Sequence, residues 1–205
     1  MINPVTQAAE AADEKGSEQS PEETIAKCCP PPTWMPIAWR ELGISEIQGP
    51  ETNPRVMEYH AASGFTWKRG TPATLDDSRS IDAWCSSFVT WVMIESGYPK
   101  NKLANESFRA RMWHDDWNNG INIGDPIYGC LGVQKNHVGF IVGYKSGDTN
   151  TFAMLGGNQA NTVKVSFYSK SSFKGFWVPE DYRYQCCELN EYTGESANGD
   201  TESTR

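Results

Sequence analysis

The sequence predicts an α+β domain, with helices gathered in the first half of the chain and antiparallel strands in the second. Three observations point there. Up to about residue 115, apolar residues recur at helical spacing between Pro and Gly punctuation. Beyond it, short apolar runs alternate with Gly, Asn, Asp and Ser turns. All eight tryptophans fall between Pro30 and Tyr184. At 205 residues and 38% hydrophobic, the chain can bury one ordinary core. Residues 1–30 read as a disordered or loosely attached segment, 31–184 as the folded unit and 185–205 as a flexible tail. Both ends carry too little large apolar surface to offset the entropy of ordering them.

Taken in order, "TWMPIAWRELG" predicts a helix capped by Thr33, with Pro36 in its first turn, Gly43 as its stop, and Trp34, Ile37, Ala38 and Leu42 on one face. "NPRVMEYHAASG" repeats that grammar: Asn53 caps, Pro54 takes the first helical position and Gly64 ends it. "DAWCSSFVTWVMIESG", from Asp82 to Gly97, is apolar on nearly every side after Cys85, so it predicts a helix central to the core. A fourth helix is expected over "LANESFRARMWHD", where Ala104, Phe108 and Met112 recur every four residues. "GDPIYG" reads as a turn entering a short strand, and "HVGFIVGY", "TFAML", "TVKVSFY" and "GFWVP" follow as strands.

Composition narrows the function. The net charge is -8, and no cluster of Lys and Arg could neutralise a row of phosphates, which excludes nucleic acid as a partner. The longest apolar run, "FVTWVMI", is far shorter than a membrane span, and the start lacks a basic stretch followed by an apolar one. The expectation is a chain made in the cytoplasm without a signal peptide, with no membrane insertion. Of six cysteines, Cys28, Cys29 and Cys186, Cys187 form adjacent pairs bracketing the folded unit. They are either bridges tying the termini together in an oxidising compartment or free thiols in a reducing one. A zinc site lacks the usual ligand spacing.

Cys85 and Cys130 lie inside the fold, and Cys85 heads the central helix. A thiol at a helix start feels the positive end of the macrodipole, and a nearby imidazole would further favour thiolate. The strand "HVGFIVGY" supplies one. Its period of two puts His137, Gly139, Ile141 and Gly143 on one face, with glycines leaving room for a close approach by the helix start. After "TFAML", Gly156 and Gly157 allow a sharp bend and bring Asn158 and Gln159 to the strand end. If the two strands pair, Asn158 reaches the imidazole and fixes its orientation, as in a Cys-His-Asn triad. Each residue also has a structural alternative: Cys85 as a small core residue, His137 as a satisfied core or loop histidine, and Gly156, Gly157 and Asn158 as a turn.

"WCSSFVTW", "HVGFIVG" and "LGGNQANTVKVSFY", in this order, resemble the CHAP-like branch of the NlpC-type peptidoglycan cysteine hydrolases. The opening "PPTWMPIAWRELGISEIQG" and "NPRVMEYH" is similar to the helical lead-in of that branch, so the resemblance covers about residues 32 to 180. It implies a papain-like fold, N-terminal helices packed on a small antiparallel sheet, with residues 31–184 as the hydrolase domain. It also implies Cys85 as nucleophile, His137 as general base and Asn158 as the residue orienting the histidine. Gln159 and Ser86 are auxiliary candidates, the backbone N–H of Cys85 an oxyanion donor, and no metal or cofactor is called for. Where many relatives have Asp before the cysteine this chain has Trp84, and where many have Glu shortly before the Asn it has Leu155 and Gly156. The third position is therefore shared between Asn158 and Gln159.

The activity so implied is cleavage of an amide bond in peptidoglycan stem peptides or cross-links. Similar domains occur as antibacterial type VI secretion effectors, which act in the periplasm of a target bacterium and imply a secretion apparatus and an immunity protein as partners. They also occur in phage lysis proteins. Two other readings compete: a non-catalytic glycan- or peptide-binding module with a structural Cys85, and an acyltransferase or deamidase acting on protein. A catalytic Cys85 is expected to alkylate quickly below pH 7. Of the remaining histidines, His60 is expected at the surface or on a cleft rim. His114 with Asp115, Asp116 and Cys130 is a weaker metal candidate than a solvated helix end.

Overall fold

In a computed structural model of the chain, the described residues are 30, 32–47, 53–65, 83–184 and 187–194. Cys28, Cys29, Cys186 and most of the loop 65–80 fall outside them.

The layout follows from helix α3 (Cys85–Glu95), in which every residue from Cys85 to Met93 is buried. Such a helix needs cover on all sides. Helix α2 (Pro54–Ser63) covers one: Asn53 caps it by accepting from Arg55 N, and Gly64 ends it in the left-handed region at φ 75°, as the sequence predicts. From α2, Tyr59 reaches Trp84, Phe88 and Trp91, with ring centroids 5.8, 5.4 and 5.2 Å away.

A six-stranded antiparallel sheet covers the other side of α3, in the order β1-β6-β2-β3-β4-β5. Its strands are β1 (Gly120–Asn122), β2 (Leu131–Gln134), β3 (Val138–Lys145), β4 (Asp148–Gln159), β5 (Thr162–Ser169) and β6 (Phe173–Pro179). Strand alternation divides the apolar side chains into two layers. Val138, Phe140, Ala153, Leu155, Val163 and Val165 pack with α3. Ile141, Phe152, Met154, Phe176 and Val178 form a second cluster on the opposite face, joined by Ile127, Cys130, Tyr184 and Leu189. Helices on one face, irregular chain on the other: the α+β expectation holds.

Several expectations are corrected. Helix α1 (Met35–Arg40) is capped at Trp34 without a side-chain bond, not at Thr33. Trp34 instead sends its indole N–H 2.7 Å to the Gly129 carbonyl, while Leu42, expected inside, is 52% exposed. The fourth helix shrinks to α4 (Met112–Asp115). Upstream of it, the Ser107 carbonyl is taken by the hydroxyls of Ser86 at 2.6 Å and Thr90 at 2.8 Å, and Glu106 turns to φ 46°. Hydroxyls of the buried helix have captured a backbone that would otherwise coil. "GDPIYG" is the expected turn, and the short strand it enters is β2, which begins at Leu131 after the Gly129 N–H and the Cys130 carbonyl have bonded to Ile141. Within the segment expected to be a flexible tail, the described residues 187–194 include two that are tied to the sheet: Asn190 and Tyr192 bond to Tyr144 at 3.1 and 2.9 Å. Gly143 makes room for them, since a Cβ there would lie 2.8 Å from Tyr192 N.

Candidate active site

Cys85 is the first residue of α3, free and 2% exposed. Its thiol points to the β2–β3 hairpin, where Sγ–H lies 3.9 Å from the Asn136 carbonyl. That hairpin is a two-residue turn through Lys135 and Asn136, closed by Gln134 N donating to His137 O at 2.8 Å. The backbone N–H groups of Val138, Ser86 and Cys85 itself also face the sulfur. The thiol is thus held against the two residues that flank His137.

The approach is not the one the glycines suggested. Gly139 lies on the face away from α3, and a Cβ there would meet the Leu155 carbonyl at 2.8 Å and Met154 at 2.9 Å, both on β4. Close approach of the helix falls at Gly157, where a Cβ would sit 2.5 Å from Trp84 and 2.7 Å from Phe88. Gly156 and Gly157 do not bend the chain either. Strand β4 runs through them to Gln159, with its register slipping between Gly156 and Gln159. The turn lies beyond, and Asn158, Ala160 and Asn161 all take positive φ, at 55°, 48° and 61°.

His137 is 3% exposed, and its Nε2 is buried with no hydrogen-bond partner among the described residues. Asn158 is therefore not bonded to that nitrogen. Gln159 is the amide that shares the space over Gly156 with it: a Cβ built on Gly156 would lie 3.2 Å from Gln159 Nε2 and 3.4 Å from His137 Nε2. Gln159 is 1% exposed, and its Nε2 donates to the carbonyls of Gly156 at 3.0 Å, Met154 at 3.2 Å and Lys164. This nest of carbonyls fixes which end of the amide is nitrogen. Its Oε1 accepts from Tyr168 Oη at 2.9 Å, and the Tyr168 ring lies 5.8 Å from the imidazole. Nothing in the sequence had marked Tyr168, which sits late in β5. The sole signal available was its place on the strand paired with "LGGNQ".

The electrostatics differ from a thiolate–imidazolium pair. Burial pushes the Cys85 thiol up to about 11, against the pull of the Val138, Ser86 and Cys85 N–H groups. Burial likewise holds His137 down at about 4. Desolvation outweighs the helix start, so both groups are neutral at pH 7. The expected fast alkylation below pH 7 does not belong to this closed arrangement.

The remaining candidates lie elsewhere. Ser86 donates to the Ser107 carbonyl and accepts from Trp113 Nε1 at 2.8 Å, so its hydroxyl is committed to the fold. His60, expected near the surface, is buried with Nδ1 3.1 Å from Ser87 Oγ, and burial lowers it to about 4. Cys130 is free in the second cluster, where burial raises it to about 12. His114 packs against Trp177, and the described residues contain no group of three His, Cys, Asp or Glu able to hold a metal. Cys187 is disulfide-bonded, and its partner lies outside the described residues. No helix among the described residues is long and apolar enough to cross a membrane. No protein-family model, curated protein or solved structure matches the chain.

Proposed function

We propose that the protein is a papain-like cysteine hydrolase that cleaves an amide bond in peptidoglycan stem peptides or cross-links. The observation that carries this is the free Cys85 thiol at the start of a buried helix, held by Asn136 and Val138 on either side of His137. In this reading Nδ1 of His137 takes the thiol proton, since Nε2 is buried with no hydrogen-bond partner among the described residues. Sγ attacks the amide carbonyl as that proton leaves it, and the N–H of Cys85 at the helix start stabilises the oxyanion. The imidazolium returns the proton to the departing amine, and water, deprotonated by His137, releases the acyl group and restores the thiol. Two neutral partners suit this order, since charge separates only as the bond forms.

The substrate class and the delivery route come from the resemblance of "WCSSFVTW", "HVGFIVG" and "LGGNQANTVKVSFY" to the CHAP-like branch. Of the two settings in which similar domains occur, the acidic chain without a cationic wall-binding segment favours an antibacterial type VI secretion effector that acts in a target periplasm, neutralised in the producing cell by an immunity protein. Periplasmic expression in a susceptible host is expected to lyse the cells, and both C85A and H137A to abolish lysis. Equal lysis by C85A would overturn the assignment.

The burial of Cys85 favours one other reading, a non-catalytic glycan- or peptide-binding module in which the thiol is structural. Cys130, free and equally buried, is an internal control. Under catalysis Cys85 alkylates faster than Cys130 in the native protein, and H137A slows it. Under the binding reading the two thiols react alike, and only on unfolding.

A further inference from the structure

We propose that Tyr168 is a positioning residue for His137: its ring flanks the imidazole while its hydroxyl fixes Gln159 against the Nε2 edge. This rests on the reading of His137 as the base. Three contacts converge on it. The Tyr168 and His137 rings lie 5.8 Å apart at 38°. Tyr168 Oη donates to Gln159 Oε1 at 2.9 Å. Gln159 spends its Nε2 on the carbonyls of Met154, Gly156 and Lys164, and among the described residues Tyr168 supplies the donor to its Oε1. Phe173 backs the tyrosine ring edge-on at 6.3 Å.

The consequence is a dry imidazole edge. Among the described residues His137 Nε2 is buried with no hydrogen-bond partner, so a proton there would have no protein acceptor. Charged neighbours do not account for this. Against the imidazole stands the ring of Tyr168 from β5. Strand β4 presents only Gly156 and Gln159, and Lys135 on its own hairpin is exposed. Burial is what lowers His137, and Tyr168 with Gln159 forms part of that burial. Burial, and after it charge on Cys85, raises the Tyr168 hydroxyl to about 12, which keeps it protonated as a donor near neutral pH.

The test uses the full chain with labelled histidine, since three histidines give three imidazole signals and H137Q assigns the one that matters. In the wild type, His137 is expected to stay neutral down to about pH 4. Y168S, which lets water in, should raise that midpoint by about one unit or more toward the ordinary histidine value. Y168F keeps the ring and should leave the midpoint in place, but release Gln159, speeding exchange of its side-chain amide protons roughly tenfold. The His60 signal reports an intact fold in each variant. An unchanged His137 midpoint in folded Y168S would overturn the proposal. If Y168S does not fold, Y168F decides: unaltered Gln159 exchange overturns it, and faster exchange supports it. No substrate enters these measurements, so failure to cleave peptidoglycan would count against the proposed function alone.

Discussion

Asn158 and Gln159 stand side by side at the end of β4 and have opposite surroundings. Asn158 is half-buried in the left-handed region, while Gln159 is enclosed and bonded at both ends of its amide. N158G suits the backbone, and is expected to keep stability and to retain activity within several-fold. Q159A strips the carbonyls of Met154, Gly156 and Lys164 of their donor, and should cost about 1–3 kcal/mol in a urea titration. It should also lower kcat more than tenfold. Reversal of that order would restore Asn158 as the residue that orients His137. Ser86 offers a parallel contrast. S86A leaves Trp113 Nε1 without its acceptor, and should destabilise by about 1–3 kcal/mol while sparing kcat.

At the scale of the elements, what was legible in the sequence is what local chemistry decides. Helix α2 reads correctly because Asn53, Pro54 and Gly64 act through neighbouring backbone alone. N53A is expected to cost about 1 kcal/mol by thermal melting. The α3 run reads correctly because a helix buried on all sides carries no polar face. The failures share one cause, contacts from far along the chain. Segment 103–111 has helical spacing, but Ser86 and Thr90 hold its Ser107 carbonyl. Gly156 and Gly157 carry turn chemistry, yet lie within β4, where Gly157 serves the packing of Trp84 and Phe88 and Gly156 lies under Gln159 and His137. G157A should therefore destabilise by about 1–3 kcal/mol through overpacking. G147A, at φ 71° with open space around it, meets only backbone strain and should cost about 1 kcal/mol. The site was half legible. Cys85 and His137 stand in recognisable segments, whereas Tyr168 enters only through the pairing of β5 with β4.

For the whole molecule, burial of titratable groups sets the pH dependence of folding. His60 and His137 are both held at about 4, whereas in the unfolded chain each takes a proton near the ordinary value of about 6.5. Between those limits the unfolded state binds more protons. Stability is then complete above about pH 6.5 and falls as the pH drops toward 4. Each histidine accounts for about 2–3 kcal/mol of that fall. Glu46, raised by burial, works in the opposite direction. Denaturant titrations at pH 7 and pH 4.5 should show the loss, and H60Q should remove about half of it. Equal stability at the two pH values would mean that the histidines are hydrated in solution.

Incubation of the full-length protein and its C85A variant with intact peptidoglycan sacculi, followed by mass spectrometry of the released fragments, bears most directly on Cys85 as a nucleophile. New peptide termini from the wild type alone are the expected result, and the fragment masses would name the bond cut. Identical release by the two proteins, or none from either, would contradict it.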